Sequence, residues 1–149
     1  MWINLLQYYY DCNRKDQFDT LFKDTFIGQN PTPNKNRYMT LAFNFAMVDP
    51  NFDRVQEDFQ RYVDNIIDDF LIRYQQLFDN QIISKIQSLS FINQKLQKLF
   101  LYCARNQLKV YMFIDEYDNF TNTILTTSGK NKYIELTHGE GAFRYFLIC

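Results

Sequence analysis

The sequence predicts a helix-rich α/β fold in which two adjacent parallel strands, at about 38–48 and 109–115, form the sheet. Three observations predict it. Gly and Pro are scarce (4 and 3 of 149 residues) while Phe and Tyr number 15 and 11, so turns are few and side-chain bulk favours long helices. From Asp53 to about Asp79 apolar residues recur at steps of three and four, the period of a helix with one buried face. The element order is helix, strand, helix, helix, strand, helix, and helices between strands give a layered fold with a parallel sheet.

The elements follow in chain order. Met1 to Asp11 reads as a helix already under way, with Trp2, Leu5, Leu6 and Tyr9 at helical spacing and no capping residue ahead of it. A helix without a start signal points to missing chain before it. Within it, Tyr8-Tyr9-Tyr10 reads as half core and half surface rather than a base-stacking platform. Phe18 to Phe26 places Phe18, Leu21, Phe22 and Phe26 on one face and is closed by Gly28. Asn30-Pro-Thr-Pro-Asn-Lys-Asn36 is a loop, because two prolines break both helix and central strand.

Tyr38 to Val48 alternates, with Leu41, Phe43, Phe45 and Met47 on one face and Thr40, Ala42, Asn44 and Ala46 on the other. Asp49-Pro-Asn-Phe-Asp53 ends that strand. The long helix buries Val55, Phe59, Tyr62, Val63, Ile66, Ile67, Phe70, Leu71, Tyr74, Leu77 and Phe78. A second helix spans Leu89 to Asn106, with Ile92, Leu96, Leu99, Phe100 and Cys103 inward. Lys109 to Ile114 is apolar on both faces, as a central parallel strand buried from both sides requires. The chain is then helical to about Leu125, passes a polar loop, and starts a last helix near Gly139 to Cys149. Two strands make a poor sheet, so this domain is expected to be incomplete or to borrow strands.

Composition narrows the function classes. A length of 149 residues, 46% hydrophobic and 22% charged, fits one folded domain over 1–149 with a sizeable core. A net charge of −1 gives no electrostatic case for nucleic acid or an anionic membrane surface. No apolar run approaches the roughly 20 residues of a membrane span. The N-terminus lacks the basic start and cleavage site of a signal peptide, so a cytoplasmic protein is expected. Cys12, Cys103 and Cys149 are odd in number, widely spaced and without metal-ligand spacing, which reads as reduced thiols.

The chemistry concentrates in Lys109 to Asp118, KVYMFIDEYD, an apolar run that ends in acids. A Walker B strand of a P-loop ATPase reads this way. A buried strand delivers Asp115 to a hydrated Mg²⁺, and Glu116 beside it orients and deprotonates the attacking water. The alternative is that the acids only begin the next helix, where negative charge meets the positive end of the dipole. Asp118 fits either reading.

Other candidates carry less. Asp53, Glu57, Asp58, Asp64, Asp68 and Asp69 form the solvated face of the long helix, with no His to complete a metal cluster. Lys95, Lys98, Arg105 and Lys109 read as helix surface rather than a nucleic-acid groove. His138, the only histidine, sits in Thr137-His-Gly-Glu-Gly141, where the glycines around Glu140 either admit a ligand to the backbone or start the last helix. No GxxxxGK[ST] occurs, and Ser128-Gly129-Lys130 lacks the upstream glycine and the Ser/Thr of a phosphate loop.

Four segments then occur in one order: Phe22-Lys-Asp-Thr-Phe-Ile-Gly-Gln-Asn-Pro-Thr-Pro-Asn34, Leu41-Ala-Phe-Asn-Phe45, Phe113-Ile-Asp-Glu-Tyr-Asp118 and Thr137-His-Gly-Glu-Gly141. Together they resemble the predicted AAA-ATPase-like family, whose members often carry a PD-(D/E)XK-type nuclease domain toward the C-terminus. The resemblance implies a partial P-loop NTPase fold of the ASCE/AAA-like kind. It implies ATP and Mg²⁺ in a full-length form, with Asp115 on the metal and Glu116 on the water. In that family a P-loop precedes the helix similar to Trp2–Tyr10, and a sensor strand follows the segment similar to His138–Cys149. With both absent from these residues, the expectation is that this polypeptide alone neither binds ATP tightly nor hydrolyses it. It also leaves one edge of the acid-bearing strand bare, open to self-association or to the remainder of the domain. Two other readings stand beside this one. The first is a non-catalytic interaction module or gene relic using that edge and the aromatic face. The second is a nuclease-related role with its chemistry outside these residues.

Overall fold

A computed structural model describes residues 2–49, 54–131 and 134. It begins with α1 (Trp2–Tyr10), a 3-10 segment (Cys12–Gln17), and two short helices, α2 (Phe18–Phe22) and α3 (Phe26–Gln29). Next come β1 (Met39–Asn44), a 3-10 turn (Phe45–Met47) and the long α4 (Val55–Arg73). A 3-10 turn (Gln75–Leu77), α5 (Asn80–Gln87), α6 (Ile92–Arg105), β2 (Val110–Asp115) and α7 (Tyr117–Ser128) follow. The two strands are parallel, with Met39 opposite Val110 and Asn44 opposite Asp115. The predicted strand pair is therefore present. No helix among the described residues is long and apolar enough to cross a membrane.

The register divides the sheet into two faces. Met39, Leu41 and Phe43 of β1, with Val110 and Met112 of β2, face the main core. There they meet Phe59, Val63, Ile67 and Phe70 of α4, Leu96 and Leu99 of α6, and Phe120 and Ile124 of α7. The opposite face carries Thr40, Tyr111, Phe113, Asn44 and Asp115. On it the C-terminal turn of α1 packs, with the Tyr10 ring 4.8 Å from Tyr111 and 6.5 Å from Phe113. Helices thus cover both faces of the sheet.

A smaller cluster of Tyr9, Phe18 and Phe22 joins α1 to α2. As expected, Tyr9 is buried while Tyr8 and Tyr10 are half-buried. Gly28 is required here, because a Cβ at that position would strike the Phe22 carbonyl. The Pro-containing loop is moored by the same cluster. Thr32 N donates to the Tyr9 hydroxyl at 2.8 Å, and Asn36 N donates to the Tyr9 carbonyl at 2.9 Å.

The structure corrects several sequence expectations. β1 stops at Asn44 rather than Val48, because the Asn44 side chain accepts from Ala46 N at 3.0 Å and turns the chain into a 3-10 segment. Phe45 still enters the core, but Met47 is exposed. The long helix ends at Arg73, since Tyr74 leaves helical geometry (φ −115°) with its ring fully buried and its hydroxyl under β1. α5 is absent from the sequence reading altogether. Its start is marked by Asp79, whose carboxylate accepts from Gln81 N at 2.7 Å. α6 accordingly begins at Ile92 and not at Leu89. Of the apolar stripe on α1, only Tyr9 is buried while Trp2 is 76% exposed, because only the last turn of that helix reaches the sheet. Phe26 points to solvent, since a break at Lys23–Thr25 separates α3 from the helix that carries Phe18 and Phe22.

The largest correction concerns β2. Its expected burial on both faces does not hold: Tyr111 and Ile114 are 40% and 39% exposed. Among the described residues the sheet has two strands, so the edge of β2 away from β1 is bare, as expected for these residues, and the strand lacks the two-sided burial of a central one.

Candidate functional site

The acidic run lies at the carboxyl end of the parallel pair, where open α/β sheets place their ligands. Asp115 is the last residue of β2 and is half-buried on the α1-facing side. Its Oδ1 accepts from Glu116 N at 3.1 Å, which fixes the carboxylate against the turn. The side chain makes no other hydrogen bond and no ion pair among the described residues. Glu116 is exposed and left-handed, with φ 56° and ψ 20°, and it forms the N-cap of α7 without a side-chain capping bond. A bulky non-glycine residue rarely adopts that conformation, and such strain is concentrated at functional sites. Asp118 is exposed in the first turn of α7, where its charge suits the helix dipole.

The strand ends are held together from below. The Phe45 ring sits 5.9 Å from Tyr117 and 5.8 Å from Phe120, so the chain leaving β1 is packed on the start of α7. Asn44 is directly opposite Asp115 in register, and its backbone N–H donates to the Tyr62 hydroxyl at 2.6 Å. Burial pushes the Tyr62 pKa up, which keeps this partner a neutral hydroxyl. Asn44 is the register neighbour of Asp115 that sequence reasoning overlooked, and Tyr62 holds Asn44 from the far side of β1. The available signal was a polar residue closing an apolar strand, in Leu41-Ala-Phe-Asn-Phe45.

The donor set at this edge, a lone carboxylate, suits a hard cation. Mg²⁺ takes hard oxygen ligands, often one or two protein carboxylates, and retains water or phosphate oxygens for the rest. Asp115 offers one such carboxylate. A closed protein cage is not formed, for no group of three or more His, Cys, Asp or Glu able to hold a metal gathers among the described residues.

The remaining candidates are dispersed. His138 and Glu140 lie outside the described residues, as does Asp53. Asp64 is not simply solvated: it pairs at 3.1 Å with Lys95, which is buried between α4 and α6 rather than part of a basic surface. Asp58 pairs with Arg61 and Asp69 with Arg73, so these acids serve the helix that carries them. Cys12 and Cys103 are free thiols. Burial raises both, Cys103 to about 11, which leaves neither as a ready nucleophile at neutral pH.

A second network lies under the N-terminal half of β1. Asp11 is buried, accepts from Asn13 N at 2.8 Å and from the Thr40 hydroxyl at 3.3 Å, and forms a bridge with Tyr38. Thr40 N donates to the Tyr74 hydroxyl at 2.9 Å. Desolvation pushes that hydroxyl up to about 12.

A family model described as predicted AAA-ATPase matches residues 1–148. No curated protein and no solved structure matches the chain.

Proposed function

The chain belongs to the predicted AAA-ATPase family, and on that premise we propose that it carries the Walker B segment of a P-loop ATPase. Asp115 would hold Mg²⁺ at the carboxyl edge of the sheet, and Glu116 would orient the attacking water. The observation that carries this reading is the strand end itself: a half-buried Asp115 pinned by the next N–H, followed by a strained Glu116 facing solvent. Bound Mg²⁺ would supply charge neutralisation at the phosphates. Asp115 would position it, and Glu116, free of any capping bond, would be available to take a proton.

The grip on phosphate in such enzymes comes from a glycine-rich loop and its lysine, and no GxxxxGK[ST] occurs in these 149 residues. ATP binding and hydrolysis are therefore proposed for a full-length form alone. A non-catalytic interaction role is the second reading, supported by the exposed Tyr111 and Ile114 of β2.

Two measurements test the proposal. Titration with Mn²⁺ should broaden the amide signals of Asn44 and of residues 115–118, and Asp115→Asn should abolish the effect. Broadening elsewhere, or unchanged in Asp115→Asn, refutes the metal role. The purified chain should show no Mg²⁺-dependent ATP turnover; turnover lost in Glu116→Gln would overturn the restriction to a full-length form.

A further inference from the structure

The edge of β2 has a pattern of its own. Met39 N donates to the Lys109 carbonyl at 2.9 Å, which fixes the alternation of the ladder. In a parallel pair alternate residues point their N–H and C=O to opposite sides. Lys109, Tyr111, Phe113 and Asp115 thus turn their backbone groups toward β1, while Val110, Met112 and Ile114 turn theirs outward. Among the described residues nothing pairs with those outward groups.

The strand is also self-complementary. Lys109 stands at its start and Asp115 at its end, with Tyr111 and Phe113 between them on the same face. We propose that the 149-residue chain forms a two-fold dimer in which β2 pairs antiparallel with β2 of a second copy, centred on Met112. This goes beyond the ATPase reading and does not depend on it.

The centre follows from the geometry. The axis can pass through a hydrogen-bonded pair at Val110, Met112 or Ile114, or through a non-hydrogen-bonded pair at Tyr111 or Phe113. Centring on Met112 pairs Val110 with Ile114 of the second copy and Met112 with its own equivalent, satisfying every outward group of the strand. It sets Lys109 opposite Asp115 and Tyr111 opposite Phe113, each pair occurring twice. Opposite charges and aromatic pairs across strands both stabilise pairing. Centring on Val110 or Tyr111 instead sets Lys109 against Tyr111 or Phe113, and centring on Phe113 or Ile114 sets Asp115 against Tyr111 or Phe113, so all four forfeit the charge pairs. The exposed Tyr111 and Ile114 are covered in the dimer. Strand addition lies at the small end of specific interfaces, below about 1,200 Å², so the dimer is concentration-dependent.

Sedimentation velocity over a concentration series, with charge swaps, decides the matter. The wild-type chain should pass from monomer to dimer. Lys109→Glu and Asp115→Lys should each weaken the dimer about tenfold, since each sets like charges opposite one another at two places. The double variant Lys109→Glu/Asp115→Lys should restore it. Should Asp115→Lys fail to fold, added salt decides instead: it should weaken the wild-type dimer and strengthen that of Lys109→Glu. Hydrogen exchange at Val110, Met112 and Ile114 should slow as dimer forms. A monomer at every concentration overturns the proposal, even if those three amides are already protected. A dimer indifferent to the charge swaps overturns it as well.

Discussion

The two outer edges of the sheet are treated in opposite ways. On β1 the outward backbone groups of Thr40 and the outward N–H of Asn44 are occupied by side chains from the end and middle of α4. The Tyr74 hydroxyl accepts from Thr40 N, the Tyr62 hydroxyl accepts from Asn44 N, and an Arg73 guanidinium N–H donates to the Thr40 carbonyl at 3.2 Å. On β2 the corresponding groups of Val110, Met112 and Ile114 meet no such side chain among the described residues. An exposed strand edge is a template for further pairing, and proteins commonly block it. Here one helix blocks one edge and leaves the other, so the acid-bearing strand is the one open to another chain. The strand ends differ too: β1 closes on a local Asn44 cap, whereas β2 closes on a strained Glu116.

The sharpest test of that contrast compares partners in register. Phe43 is buried and faces Ile114, which is 39% exposed. Phe43→Ala should cost about 3–5 kcal/mol of unfolding free energy, and Ile114→Ala less than about 1.5 kcal/mol. Chemical denaturation measures both, and equal losses would mean that β2 is as buried as β1.

Next comes the tyrosine that blocks β1. Tyr74→Phe leaves the buried Thr40 N–H without its acceptor and should cost about 1–3 kcal/mol. The same hydroxyl gives a pH signature. Its folded pKa, about 12, lies above the ordinary value of 10, so the neutral form is favoured by folding. That contribution is fully present below pH 10 and is lost as pH rises through 12, on the order of 2 kcal/mol. Tyr10 and Tyr62 shift in the same direction and add to the alkaline loss. Urea midpoints across that range should fall less steeply in Tyr74→Phe than in the wild type.

Glu116→Gly should be smaller and opposite in sign. Removing the Cβ from a left-handed residue should stabilise the fold by about 0.5–1 kcal/mol. Thermal melts read this directly, and a loss of stability would show that the conformation is unstrained. The least energetic difference is in exchange rates. In monomer, the amides of Thr40 and Asn44 should exchange more slowly than those of Val110, Met112 and Ile114, and equal rates would erase the distinction between the edges.

Much of this was legible from local pattern. Alternation marked β1, the period of three to four marked α4, and the Leu96-Leu99-Cys103 spacing marked α6. The acid-terminated run marked both β2 and the candidate site. α5 was missed although Asp79 capped it, because its short Ile82-Ile83-Ile86 pattern was overshadowed by the polar residues between them. The length of β1 was overestimated because alternation through Met47 cannot reveal that Asn44 prefers to bond Ala46 N.

What the sequence by itself determined, then, is which segments become helix or strand, that the strands run parallel, and that Asp115 and Glu116 close the second one. Periodicity and residue type are local properties, and they suffice for those statements. Only the tertiary structure decided that Tyr111 and Ile114 of β2 stay exposed while Thr40 and Asn44 of β1 are bonded by side chains of the α4 region. It also decided that Asn44 stands beside Asp115 and that Lys95 is buried against Asp64. Each of these depends on contacts between residues far apart in the chain, where packing and hydrogen-bond satisfaction, rather than spacing, select the partner.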